Sequence, residues 1–375
     1  MSTPETETPS PAPTAPTTTP WVETDADREL IRRLAEADGP ADRDGGWPAR
    51  LWAILQAAGA PRWAMPADLG GFELDRPALV AANARVARGS LTAAFILSQH
   101  DAAVRRLLAA RDRPTATYWL DAIATGDAFA TVGLSQLTTS RRLGPAALRA
   151  RQVEPGFYVL DGAMPWVTAA EHAHLFVAGA VIEDGRQILF ALPADRPGVT
   201  VRPAYDLAAL GASRTCEVAC DSVELADADL LAGTVENVMT GGTAVGTGGL
   251  ETSALALGQA LAALGAFEEA AAGRPDLAEP AAALRSTWDA LWSDLIAHAR
   301  GLPDAPGPAA IRGAANEHVI RATQAYLTAR KGSGFLRADP AQRWARQALF
   351  FLVWSCPGPV ANAAIRDYAG LCDLG

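Results

Sequence analysis

Lysine is nearly missing from this chain: Lys331 is the only one among 32 basic side chains, and every other is arginine. That bias is compositional, and it marks one position for attention. Cysteine is scarce too. Cys216, Cys220, Cys356 and Cys372 are scattered, which excludes a disulfide scaffold and fits reduced, buried thiols in a cytoplasmic protein. Cys216 and Cys220 have no histidine or second cysteine pair beside them, so their spacing reads as a strand and no metal site is expected. Long apolar runs are lacking. The strongest, Ala348 to Trp354, falls well short of the roughly 20 residues that span a bilayer. Positive charge is also in deficit, with 42 acidic residues and a net charge of −10, which argues against general nucleic-acid binding.

What is present is ample for folding: 375 residues, 49% hydrophobic and 20% charged, enough for two or three domains. Residues 1–20 are Ser, Thr, Pro, Glu and Ala with little to bury; they read as a disordered tail without the pattern of a signal peptide. From 21 to 126 apolar residues recur at helical spacing (Leu30, Ile31, Leu34; Leu51, Ile54, Leu55), with breaks expected at 39–46, at 61–71 and near Gly89-Ser90. Between 127 and 235 the period shortens. Runs such as Phe157–Leu160, Leu175–Ala178, Gln187–Leu192 and Cys216–Cys220, separated by turns such as Pro155-Gly156 and Asp184-Gly185, predict a small antiparallel barrel or sandwich. After a glycine-rich link at 240–249 the helical period returns, so 236–375 reads as a helical bundle with helices near 251–272, 277–300, 309–329, 340–354 and 360–368. Taken alone, Trp166 reads as a core or interface residue, Arg274 as a solvated helix residue, Gly332-Ser333-Gly334 as a turn and His100 as a packed, hydrogen-bonded histidine.

Several segments, in this order, carry a resemblance. They are Gly133–Ser140, Asp161–Thr168 with Met164-Pro165-Trp166-Val167-Thr168, Pro197-Gly198, Leu210–Val218 and Asp221–Leu225. In the last part of the chain Leu257-Gly258, Arg274, Lys331–Phe335, Pro340, Arg343 and Arg346 follow. Together, from about Ala26 to Tyr368, they resemble the acyl-CoA dehydrogenase family. That resemblance implies an α+β fold with an N-terminal helical domain, a central small β-barrel and a C-terminal four-helix bundle. It implies FAD as cofactor, an acyl-CoA or other acyl thioester as substrate, and a homodimer or homotetramer. Carried over position by position, Leu134, Ser135 and Ser140 would contact the flavin ring and phosphates, Trp166 would pack on the ring, and Thr168 would bond near N5. Arg274, Gly332 and Gly334 would meet the pyrophosphate of a neighbouring subunit.

The sequence departs from the family at the base that takes the α-proton, a task that needs a carboxylate in contact reach. The family's usual glutamate position, nine residues beyond Arg346, is Ser355, and the alternative position is Gly248. Glu251 lies one helical turn further on and is the candidate base. At the adenosine end Leu277-Ala278 and Arg285 replace the expected residues. Three functions fit these features: α,β-dehydrogenation of an acyl thioester with hydride passing to the flavin, a flavin-dependent monooxygenase on the same fold, or a non-catalytic relative that binds a ligand or partner.

Overall fold

The computed structural model describes residues 20–137, 147–239 and 249–371; Ser140, Gly248, most of the glycine-rich link, Cys372 and nearly all of the tail fall outside these ranges. Five helices open the chain: α1 (Asp25–Asp44), α2 (Ala49–Ala57), α3 (Arg76–Gly89), α4 (Leu91–Ala109) and α5 (Pro114–Thr125). Their ends follow capping chemistry. Thr24 and Asp27 form a reciprocal capping box at α1, and Ser90, which separates α3 from α4, accepts from the Ala93 N–H.

The expected break at 39–46 does not occur until Gly45, because α1 runs through Gly39 and Pro40. Tertiary contacts account for this. Asp38 and Asp42 stay one turn apart on a single face and meet Arg343 and Arg346 at 2.8 and 2.7 Å. Gly39 leaves room for the Arg343 guanidinium, since a Cβ there would sit 3.1 Å from Nη1.

Among the described residues eight strands follow: β1 (Ala130–Gly133), β2 (Leu148–Glu154), β3 (Phe157–Val167), β4 (Leu175–Ile182), β5 (Gln187–Pro193), β6 (Val199–Val201), β7 (Cys216–Ala226) and β8 (Leu230–Val235). They form one sheet in the order β6-β7-β3-β2-β4-β5-β8, with β1 pairing β4 off that path. Most pairs are antiparallel as expected, but β1 and β2 both run parallel to β4. One face of the sheet packs its own core around Met164, Phe176, Phe190 and Val223; the other packs against α4 and α5.

Six helices complete the chain: α6 (Leu250–Ala271), α7 (Ala278–Ala299), α8 (Pro308–Arg330), α9 (Pro340–Ala348), α10 (Phe350–Val353) and α11 (Gly358–Tyr368). The single helix expected over 340–354 is thus two, with Leu349 between them. The early and late helices share one core, in which Leu34, Leu55 and Phe95 pack with Leu257, Trp288 and Phe351. Gly258 makes that possible: a Cβ there would lie 2.1 Å from Ala84 O, so α3 and α6 approach backbone to backbone. Helix α6 is long and apolar enough to cross a membrane, but 72% of its most apolar window is buried inside the fold.

Candidate active site

The site residues expected from sequence fall into two groups. The first sits at one rim of the sheet, where β1 leads into a 3-10 turn (Ser135–Leu137) beside the end of β3. Ser135 Oγ donates to Pro165 O at 2.6 Å, and Thr131 Oγ1 donates to Thr168 O at 2.9 Å. These two bonds fix Leu134-Ser135 alongside Trp166–Thr168. Gly133 permits the approach, because a Cβ would fall 2.5 Å from Met164 Sδ. Trp166 has a left-handed backbone, φ 60°, which a bulky residue rarely adopts. Its indole is held out at the rim, 44% exposed, with Tyr205 4.6 Å away at 42°. Thr168, in contrast, is 1% exposed, and its hydroxyl lies 3.4 Å from that of Thr215, which is 2.9 Å from Ser213 Oγ.

The second group lies at the end of α8. Arg274 donates to Ala329 O at 3.0 Å and pairs with Asp276 at 2.9 Å, which holds it next to the 3-10 turn Lys331–Phe335. Gly334 is packed against the end of α8, where a Cβ would be 2.6 Å from Arg330 Cβ; Gly332 is open. Lys331 takes φ 53° and is exposed. Arg285 is held by Glu268 through two 2.7 Å bonds.

Ser355, at the family's usual base position, takes φ 44° in the turn between α10 and α11. Glu251 stands in the first turn of α6, with Oε1 3.4 Å from Arg105 Nη1. Sequence reasoning missed the partners that organise this region, Asp101 and Arg105 on α4 and Asn83 on α3. Four-residue spacing of Asp101 and Arg105 was the available signal, and it is common on solvated helices. Burial raises the Asp101 carboxyl to about 7, with Arg105 lowering it, Glu251 raising it and Asn83 lowering it. His100 is the packed histidine expected. It faces Ala130 O and Pro61 O, stacks on Phe129, and is pushed down to about 4 by burial. A neutral imidazole donates from one nitrogen, so only one of those carbonyls receives a full hydrogen bond.

Two cavities flank the turn between α1 and α2. One, of about 540 Å³, is lined by Trp47, Trp52, Phe129, His172 and His174; the other, of about 680 Å³, by Asp42, Asp206, Gln324, Arg346 and Leu349. Neither is lined by Trp166 or Thr168.

The sheet rim fits a flavin ring. It offers an exposed aromatic face and, in the buried Gln136 Oε1 next to Ser135, an acceptor without a hydrogen-bond partner among the described residues. Helices, a mixed sheet and a second set of helices sharing the first set's core define the acyl-CoA dehydrogenase fold. Butyryl-CoA dehydrogenase from Megasphaera elsdenii superposes with a TM-score of 0.75 at 17% identity, covering 92% of this chain and all of that one. A probable acyl-CoA dehydrogenase of Bacillus subtilis is 26% identical over 249 residues, 61% of this chain and 65% of that protein. The human mitochondrial short-chain specific acyl-CoA dehydrogenase is 23% identical over 362 residues, 92% of this chain and 87% of its own. The chain thus matches just under two thirds of the Bacillus subtilis relative's length. No family model matches the sequence. The chain thus has the acyl-CoA dehydrogenase fold and is similar in sequence to acyl-CoA dehydrogenases.

Proposed function

We propose that this protein is an FAD-dependent oxidoreductase that removes the α and β hydrogens of an acyl thioester such as an acyl-CoA, and that it works as a homodimer or homotetramer. The observation that carries this reading is the rim, where the Ser135–Pro165 and Thr131–Thr168 bonds hold Leu134, Ser135, Trp166 and Thr168 together with the Trp166 indole exposed. When bound, the flavin supplies the two-electron acceptor for the β-hydride. Trp166 provides the stacking face. Thr168, whose hydroxyl already leans on Thr215, keeps that end of the rim polar. Arg274, Gly332 and Gly334, clustered on the bundle, are the residues for the pyrophosphate of a neighbouring copy.

Glu251 is the group that receives the α-proton. It is a carboxylate at the start of α6, three residues beyond Gly248, and Arg105 orients it. No other base is called for at Ser355, since a serine hydroxyl has no basicity at neutral pH without a partner.

The test starts with the visible spectrum of the purified protein after incubation with FAD. The expected result is bound, oxidised flavin, and a loss of affinity of roughly tenfold in Trp166→Ala, the worth of about 1.4 kcal/mol of aromatic contact. Failure of the wild-type chain to retain any FAD would sink the reading.

A further inference from the structure

The cavity of about 540 Å³ beside the turn between α1 and α2 has no role in the reaction as described so far. Its volume is in the ordinary range for small-molecule sites, and its wall is aromatic. Trp47, just before α2, stacks on His172 with ring centroids 4.2 Å apart at 21°. Phe129 stands edge-on to both indoles, 4.9 Å from Trp52 at 84° and 6.2 Å from Trp47 at 65°. At those separations the rings touch one another, so they make a continuous wall and not a box around a bound cation. Phe129 is buried whereas His172 is exposed, which leaves the outer end of the Trp47–His172 stack open. Burial holds the His172 imidazole below its usual range, with Glu171 opposing and Arg214 assisting, so it stacks as a neutral ring at neutral pH.

The polar groups in this wall are donors. His174 Nδ1 accepts the Phe129 N–H at 3.0 Å, which places the proton of the neutral ring on Nε2. Arg62 gives Nη1 to Gly70 O at 3.1 Å and has no carboxylate partner among the described residues. No acidic side chain lines the cavity. The acids next to its wall in sequence are engaged: Asp127 accepts from Thr125 Oγ1 at 2.7 Å, and Glu171 is held by Arg214 at 2.6 and 2.8 Å.

We propose that this cavity is a binding site in its own right for a planar aromatic carboxylate, whose ring extends the Trp47–His172 stack and whose charge is matched by Arg62, with His174 Nε2–H as a second donor. Aromatic faces reward stacking, and a guanidinium without a counter-ion rewards a carboxylate through charge-assisted bonds. An aliphatic acid forfeits the first and an aromatic alcohol the second. The site is separate from the flavin reading. Neither Trp166 nor Thr168 lines it, although the backbone from Thr168 to His172 joins the rim to its wall.

Calorimetric titration of the purified full chain with 2-naphthoate, with and without saturating FAD, tests the proposal. Three comparison probes separate the contributions: cyclohexanecarboxylate keeps the charge without the flat ring, 2-naphthalenemethanol keeps the ring without the charge, and AMP is a planar anion of the nucleotide kind. The expected result for 2-naphthoate is one saturable site with a Kd on the order of 100 µM, unchanged by FAD, and binding about tenfold or more weaker for each comparison probe. Trp47→Leu and Arg62→Gln should each weaken 2-naphthoate by about tenfold, and Arg62→Gln should also erase its advantage over the alcohol. Arg62 is only half-buried, so that variant decides the matter even where Trp47→Leu does not fold. No saturation by about 1 mM, displacement of 2-naphthoate by FAD, equal or tighter binding of AMP, or full affinity in Arg62→Gln overturns the proposal. A chain that holds no FAD yet binds 2-naphthoate as expected supports this site and counts against the flavin reading alone.

Discussion

Replacing Asp101 by Asn should remove the pH dependence of one part of the protein's stability. Burial raises the Asp101 carboxyl from 3.8 to about 7, so between those values the folded chain holds a proton that the unfolded chain has lost. Stability from this group is complete below the unfolded value and disappears as pH rises through the folded one. About three pKa units at about 1.4 kcal/mol each give about 4 kcal/mol, of which about 2.5 kcal/mol is lost between about pH 5 and about pH 8. Asn is neutral throughout and close to Asp in shape. Urea unfolding of both proteins at several pH values supplies the comparison, because the difference between them cancels every other titrating group. The wild type should lose about 2.5 kcal/mol more than the variant over that range and be the less stable of the two at about pH 8. Parallel curves would mean that Asp101 is ionised in the fold at low pH, and the account of the α3–α4–α6 junction would be wrong.

Three further expectations concern packing and buried charge. Gly258→Ala should destabilise by about 1–3 kcal/mol, because its Cβ would fall 2.1 Å from Ala84 O, whereas Gly265→Ala in the same helix meets nothing within 4 Å and should gain about 0.5–1 kcal/mol in thermal or urea unfolding. Arg343→Ala should cost about 3–5 kcal/mol by stranding the buried Asp38, and the double change Asp38→Leu with Arg343→Met should recover much of it. His100 is held down at about 4 by burial, so its contribution is present above about 6.5 and lost as pH falls toward 4. Substituting His100→Gln should flatten the acid limb of the stability curve by about 3 kcal/mol.

The order of helices, strands and helices was legible because apolar spacing changes from helical to alternating and back. Trp166, Thr168, Leu134 and Ser135 were legible as a set through the resemblance, and two hydrogen bonds place them at one rim. What the sequence hid was pairing at long range. The continuation of α1 through Gly39-Pro40 depends on arginines some 300 residues away, and local rules favour a break there. The parallel pairing of β1 and β2 with β4 leaves no mark in residues that alternate equally well in either direction. Helix period alone reports Asp101 and Arg105 as a surface pair, and only the packing of α3 and α6 against α4 buries Asp101 and leaves Arg105 partly covered.

Flavin-dependent dehydrogenation of an acyl thioester can be read from anaerobic titration of the FAD-loaded protein with saturated acyl-CoAs of increasing chain length, followed as the visible absorbance of the oxidised flavin. The expected result is bleaching at near-stoichiometric addition of an acyl-CoA that fits, and slower bleaching in Glu251→Gln. Flavin that stays oxidised with every chain length would contradict it.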